Sequence, residues 1–527
     1  MLKNFFKDFD FKDWWIVLSL FLLIGGMFFS PFVATLSKVL ILIGLIFCAT
    51  LWRKEINPFK GKLISVLCIA VLFLLDIVGL IWSDEIGKGL SVCFHESSFL
   101  TVPLFIALLS PMKKKTLDTV FFLYVVCAFA GTVIGFVNYA TNEYADVRKL
   151  VPGGRNIAFS IKIAFAVSCL SLYAYFVRKN LKIILPLILW FLFFLVITQM
   201  LSGLVAIVGF AVLFAFSLVL KKRSKFNFAL VSLIIIAVAY SVFWIGREYK
   251  NYFTVKEPLM KNGIVLTPDG NPYSAIDDGR IENGYLLNNY FCTAEVKQEW
   301  LKRTGLDVNL KTKDTVFTYN DIIYRYLNSL GMHKDAASVR KLSEEDIENI
   351  KRGIANKVYT EKFSLRPRLY QTFLEFEDFA HGGDVSGKSL IERYAMTLSA
   401  FNIIKQHPII GLGTGESKDA LNERLKKDYP TIERAEADPH NEFVYILVCF
   451  GSLGLLAFVL AFAFPVFKFK LWKNPYFLAF LCINLCYMLV ESSLKMMAGR
   501  VFYVIFFSIL VFNNQNIKKF YSSPVSE

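Results

Sequence analysis

Five histidines occur in the chain, at positions 95, 333, 381, 407 and 440, and at neutral pH a general base is a histidine, a carboxylate or a tuned lysine. His440 stands out by its place. It lies in Asp438-Pro439-His440-Asn441-Glu442, where a long polar stretch gives way to an apolar run at Phe443. A base there faces water on one side and a lipid-linked reactant on the other; the plainer alternative is an interfacial histidine that caps the following helix. Upstream, Arg393 opens an amphipathic run that ends in His407-Pro-Ile-Ile-Gly-Leu-Gly-Thr-Gly-Glu416. Gly411, Gly413 and Gly415 permit close backbone approach, and a glycine-rich turn can offer N–H groups to an anion. The turn lacks the Lys-Ser/Thr ending of a P-loop, so nucleotide binding is not expected. Much earlier, Val151-Pro-Gly-Gly-Arg155-Asn156 sets an arginine on a flexible turn, with Arg148 and Lys149 close by. A guanidinium suits phosphate because its planar fork donates two parallel hydrogen bonds and stays charged. A cation resting on lipid headgroups is the competing reading. Asp76, His95, Glu96, Lys162, Glu491 and Lys495 lie in or near apolar runs. Charge in such places hints at function, but these residues are read here as packing or interfacial groups.

The elements that must hold these residues are membrane helices. The chain has 527 residues, 55% hydrophobic and 16% aromatic with 52 Phe, too apolar for a soluble protein of this size. Apolar runs of about 17–25 residues, the length that crosses a bilayer as a helix, recur outside one large polar segment. The expected fold is an all-α polytopic membrane protein of about 12 transmembrane helices, eleven and thirteen remaining open, with one large, mostly helical periplasmic domain inserted between helices 9 and 10. The expected boundaries are 1–246 for helices 1 to 9, 247–440 for the loop domain, and 441–527 for helices 10 to 12 and a tail. The first helix is read as a retained anchor, because no small-residue cleavage pattern precedes Pro31.

Charge gives the orientation. Basic residues cluster in alternate short loops, at Arg53, Lys54, Lys60 and Lys62; Lys113 to Lys115; Arg178, Lys179 and Lys182; Lys221, Lys222, Arg223 and Lys225; and Lys468, Lys470 and Lys473. Such loops stay in the cytoplasm, which puts both termini there and the 247–440 segment outside. That segment holds 28 Lys and Arg against 29 Asp and Glu, so the whole of the +15 net charge belongs to the membrane part. The excess is topological and gives no sign of nucleic acid. Of nine cysteines, Cys292 alone lies in the segment, so neither a disulfide framework nor a cysteine zinc site is expected there. Within it, Asp307–Leu342 and Ser343–Tyr359 show helical spacing, the second with a Ser343-x-x-Asp346 start, and Leu390–His407 shows it again. Phe379–Gly387 reads as a loop.

The order His407-Pro-Ile-Ile-Gly-Leu-Gly-Thr-Gly, then Pro439-His-Asn-Glu-Phe-Val-Tyr-Ile-Leu-Val-Cys-Phe-Gly-Ser-Leu-Gly resembles the O-antigen ligase and polymerase family. The likeness extends to the plan of helices, late outer loop and earlier Gly154-Arg155-Asn156 turn. Two departures stand out: Leu201-Ser202-Gly203 lacks the arginine of a "Ser-Arg-Gly" helix start, and the insert between Asn320 and Tyr359 is long. The resemblance implies an inner-membrane glycosyltransferase that moves a preassembled polysaccharide from undecaprenyl diphosphate to lipid A-core at the periplasmic face, inverting and without metal or cofactor. It implies that His440 activates the acceptor hydroxyl and that Arg155 and Arg393 stabilise the leaving diphosphate. Asn156, Gly411, Gly413, Gly415 and Asn441 are the implied substrate-binding residues. A polymerase of the same glycans shares the architecture, and transfer to protein hydroxyls is a third variant. From another class, a polysaccharide flippase or transporter would line a central path with charge; the large outer segment and the lack of an internal repeat argue against it.

Overall fold

A backbone in hydrocarbon has no water to bond, so apolar segments fold as helices that satisfy their own N–H and C=O groups. The computed structural model describes residues 9–52, 61–141, 150–221, 225–261, 263–312, 317–386, 388–432 and 437–522, and its regular structure is almost entirely helical. Arg53, Lys54, Lys60, Arg148, Lys149, Lys222 and Arg223 lie outside the described residues.

Eight helices are long and apolar enough to cross a bilayer: Phe11–Phe28, Pro31–Ala49, Ile86–Leu109, Lys114–Thr141, Asn156–Phe176, Leu201–Leu218, Val231–Phe253 and Glu442–Lys468. Two bent pairs, Leu63–Ile69 with Val71–Trp82 (66°) and Met497–Phe512 with Asn514–Tyr521 (79°), raise the number to ten if each is one span. Leu181–Ile197 and Pro475–Val490 are apolar but shorter. Each of the twelve expected segments is thus helical, while eight to ten qualify as spans by length and composition. The chain is a multi-pass membrane protein. Val231–Phe253 illustrates the solvent it was built for: only 6% of its apolar window is buried by protein, and Ile236 and Phe243 stand out from its surface.

The chain divides into two compact units, one of Met1–Ile234 with Arg393–Glu527 and the other of Ile235–Glu392. The stretch from Arg393 to His440 therefore belongs with the membrane helices. In that first unit, aromatic rings meet edge to face: Phe165 lies 4.7 Å from Phe506 and 5.2 Å from Phe502, the geometry that ring quadrupoles favour. Small residues bring helices together. A Cβ on Gly203 would fall 2.8 Å from the Ser160 carbonyl oxygen, so the Leu201-Ser202-Gly203 start packs directly on the Asn156–Phe176 helix. Glu96, which interrupts an apolar run, is buried and paired with Arg500 at 2.7 Å.

The second unit has its own core around Trp300, Ile323, Tyr326, Leu327 and Ile350. A buried polar network backs it, in which Arg325 grips both carboxylate oxygens of Glu282 at 2.9 and 3.0 Å and Asn356 donates to the same group. The Ser343 start is a capping box closed by Asp346, as the spacing predicts. The continuous helix expected over 307–342 is instead Tyr319–Ser329 and Ala336–Lys341. Gly331, at φ 69°, ends the first and the Asp335 side chain caps the second. Thr293–Thr304 and Arg366–Ala380 are helices that apolar periodicity does not reveal, because few of their positions are buried.

Candidate active site

The site is built where the polar stretch re-enters the first unit. The Ser389–Gln406 helix agrees with the expected span to within one residue. Arg393, near its start, donates from one guanidinium nitrogen to the Val490 carbonyl at 2.6 Å and from another to Glu491 Oε1 at 2.7 Å. One turn on, Thr397 Oγ1 donates to the Pro439 carbonyl at 3.1 Å. One face of this helix thus fixes both the turn that carries His440 and the end of the Pro475–Val490 helix.

His440 sits at φ 50°, a left-handed conformation that a side chain tolerates only under constraint. The constraint is visible. Its N–H donates to Asp438 Oδ1 at 2.8 Å, and the same oxygen accepts from Ser492 Oγ. Asn441, next in the chain, caps the Glu442–Lys468 helix by accepting from the N–H groups of Phe443 and Val444, and its amide donates to the Leu489 carbonyl at 3.2 Å. The helix cap is therefore Asn441, and His440 is released from that duty. Glu442 Oε2 then accepts from the Leu494 N–H at 2.7 Å. Asp438 to Ser492, His440 to Glu491 and Glu442 to Leu494 pin the turn and first residue of the Glu442–Lys468 helix against the link after Val490 at three points.

The central pin carries the chemistry. His440 Nδ1 lies 2.9 Å from Glu491 Oε2, with the two side chains 11% and 9% exposed. A carboxylate accepts only, so Nδ1 bears the proton and Nε2 is left as the basic nitrogen of the neutral ring. Nε2 is buried and, among the described residues, has no hydrogen-bond partner. Burial alone would push the Glu491 carboxyl pKa up, yet the hydrogen bond from His440 and the charge of Arg393 outweigh it and hold the group below its ordinary value.

His440 and Glu491 open onto a cavity of about 860 Å³ that Arg155, Lys162, Lys418, Asp438 and Lys495 also line. Arg155 is exposed and stands at the start of the Asn156–Phe176 helix, delivered by Gly153 and Gly154 at φ 76° and 63°. Seven residues further along the same helix, buried Lys162 donates to the Met27 carbonyl at 2.5 Å and lies 4.5 Å from the centre of the Phe28 ring. Lys495 stands 3.8 Å from Asp438 and 4.7 Å from the Tyr445 ring centre. Among the described lining residues four cations face two acids, of which Asp438 is paired with Lys495 and Glu491 with Arg393, so the lining is basic and suits an anion. Among the described residues, no cluster of three or more His, Cys, Asp or Glu has the arrangement to hold a metal ion.

The structure thus brings Arg155 and His440 to one cavity and places Arg393 behind Glu491, outside the lining. Asn156 accepts from the adjacent Ile157 N–H, and neither it nor Asn441 is among the residues lining the cavity. The three glycines lie close against neighbouring backbone, and Gly415 also lines a second, smaller cavity. The Glu442–Lys468 helix breaks at Gly451 (φ 61°, ψ −163°), a conformation confined to glycine. The break frees carbonyls at Val448 and Cys449, which accept from Leu412 and Gly413 N–H at 3.0 and 2.8 Å; Ser452 and Leu453 N–H donate in turn to Pro408 and Ile409. A Cβ on Gly411 would fall 2.4 Å from the Cys449 carbonyl carbon, and one on Gly451 2.3 Å from that of Ile409. The N–H of Gly413 that an anion would need is therefore spent on the broken helix. Glu491, Lys162 and Lys495, expected from the sequence to be packing or interfacial groups, line the same cavity as His440 and Arg155; charge beside an apolar run was the available signal.

Residues 337–459 match the family model described as O-antigen ligase. The matched stretch contains Arg393, the glycine turn, His440 and Gly451, and it bears out the resemblance drawn from the sequence. No match is found among curated proteins.

Proposed function

We propose that this chain is an O-antigen ligase-type glycosyltransferase, which moves a preassembled polysaccharide from undecaprenyl diphosphate to the lipid A-core acceptor at the periplasmic face of the inner membrane. The observation that carries the reading is the buried Nε2 of His440, unpartnered among the described residues, opening onto a cationic cavity, with Nδ1 held by Glu491. Nε2 takes the proton of the acceptor hydroxyl as its oxygen bonds to the anomeric carbon. The bond from that carbon to the diphosphate oxygen breaks, and its electron pair leaves with the diphosphate. Negative charge grows there, and Arg155, Lys418 and Lys495 are the cations that meet it. Glu491 matches the imidazolium that forms, and Arg393 keeps Glu491 in place. One displacement inverts the anomeric centre.

A flippase has no use for a carboxylate-oriented imidazole with a free nitrogen, which favours transfer over transport. A polymerase of the same type shares every feature above and differs in its acceptor. Both are separated by the carrier lipid that accumulates when the protein is lost: full-length polymer on the carrier supports ligation, and single repeat units overturn it in favour of polymerisation. In either case His440→Ala is expected to abolish the long-glycan ladder with the protein still present in the membrane; an unchanged ladder refutes the mechanism.

A further inference from the structure

A second cavity, about 310 Å³, adjoins the first and shares Lys418 and Lys495 with it; Lys88, Ser417, Asp419 and Tyr445 are among its other walls. Two helices begin at its edge. Ile86–Glu96 puts Lys88 in its first turn, and Ser417–Asp428 puts Ser417, Lys418 and Asp419 in its first turn. Among the described residues neither helix start is capped by a side-chain hydrogen bond, so the partial positive charge of both dipoles adds to the lysines. Most of the nearby acids pair with these lysines, which an anion would have to share. Asp419 and Glu85 lie 2.8 and 3.4 Å from Lys88, and the Glu416 carboxylate is turned away onto Ser83 and the Asp84 N–H. Among the described residues the cavity wall holds three lysines and one carboxylate, and Asp438 is a further acid 3.8 Å from Lys495.

We infer that this second cavity is an anion subsite that holds a phosphate group of the acceptor glycolipid while the donor's diphosphate occupies the first. The inference rests on the transfer reaction proposed above. Lys418 and Lys495, standing between the cavities, would face both anions, so that filling one subsite prepares the other. Volume agrees: about 310 Å³ admits a sugar phosphate but not a lipid-linked polymer, and the larger cavity is left for the donor.

Lys88 lines the second cavity and not the first, which makes it the clean probe. With full-length protein in lipid nanodiscs, Lys88→Gln is expected to raise the acceptor KM about five- to tenfold, the effect of one charged hydrogen bond at a half-exposed site. The donor KM stays constant and Lys88→Arg restores the wild-type value. An acceptor stripped of its phosphates gives the same KM with wild type and Lys88→Gln. Inorganic phosphate competes with the acceptor in wild type; competition against the donor instead would overturn the assignment, as would an unchanged acceptor KM in Lys88→Gln. If the wild-type protein transfers no glycan, the reaction reading fails by itself. The subsite is then read by 31P line broadening of inorganic phosphate, which Lys88→Gln should weaken and which equal broadening in both proteins would refute.

Discussion

Replacing Glu491 by Gln probes the site at its hinge. The side chain keeps its size but offers one acceptor oxygen where the carboxylate offers two, and both are in use: Oε1 by Arg393 at 2.7 Å and Oε2 by His440 Nδ1 at 2.9 Å. The amide satisfies one partner and presents N–H to the other. If the oxygen stays with Arg393, the imidazole loses its acceptor at Nδ1 and with it the preference for a basic Nε2. A hydrogen bond to a charged group contributes about 1.5–3 kcal/mol, and each 1.4 kcal/mol or so is tenfold in rate. The expected result is a kcat lower by about 10- to 150-fold, with both KM values near wild type, since Glu491 acts on the base and not on bound substrate. Steady-state transfer of a lipid-linked glycan to purified acceptor, with full-length protein in nanodiscs, measures it. His440→Ala should cost about 10²- to 10⁴-fold, and the double variant should be no slower than His440→Ala, because Glu491 works through the imidazole. Independent, multiplying losses in the double variant, or a wild-type kcat in Glu491→Gln, would refute the assignment of the pair.

Arg155→Ala should lower kcat by about 10²- to 10³-fold through loss of charge stabilisation on the leaving group, measured in the same assay; a full kcat would remove Arg155 from the mechanism. Gly451→Ala forces a side chain into a glycine-only conformation 2.3 Å from Ile409 and should destabilise by about 2–5 kcal/mol, seen as a lowered thermal midpoint in detergent. Gly25→Ala, a helical position with open space around it, is the control that should leave the midpoint unchanged or raised. The depressed carboxyl of Glu491 makes a pH-dependent contribution to stability. It is fully present above the ordinary glutamate value of about 4.3 and is lost as pH falls through the lower folded-state value. Glu491→Gln should therefore show a shallower fall in thermal midpoint than wild type in acid; parallel curves would contradict the shift.

What the sequence disclosed was local, and what it concealed was tertiary. The Ser343 capping box, the Ser389–Gln406 helix and the exposed place of Arg155 are each written within a few consecutive residues. His440 was legible because its motif and its membrane boundary coincide. Glu491 was not, since its meaning depends on two chain segments being pinned side by side, and in one dimension a carboxylate after an apolar helix looks like any interfacial group. The glycine turn was legible as a turn and illegible in purpose. Whether its N–H groups face an anion or a backbone depends on the break at Gly451, and Gly451 reads as an ordinary small residue inside an apolar run. Arg393 likewise had a visible charge but an invisible partner.

The interlock of Pro408–Gly413 with Val448–Leu453 also governs which changes of chain length this protein can absorb. It joins the two ends of the intervening stretch by backbone hydrogen bonds, so the position of His440 is set by that clasp and by the pins to Ser492, Glu491 and Leu494, independently of the residue count in between. Lys418 of the Ser417–Asp428 helix lines the cavity and Asp428 at its end accepts from Ser399 and Asn402, so a change of length between Asp428 and Asp438 is the one that leaves the base in register. A single residue added between Pro408 and Gly413, or between Val448 and Leu453, would instead slip the clasp by one peptide and present the wrong groups to each other. Variation in length should therefore accumulate after Asp428 and be absent from the two sides of the clasp, giving this region a hinge of fixed gauge that carries an exchangeable loop.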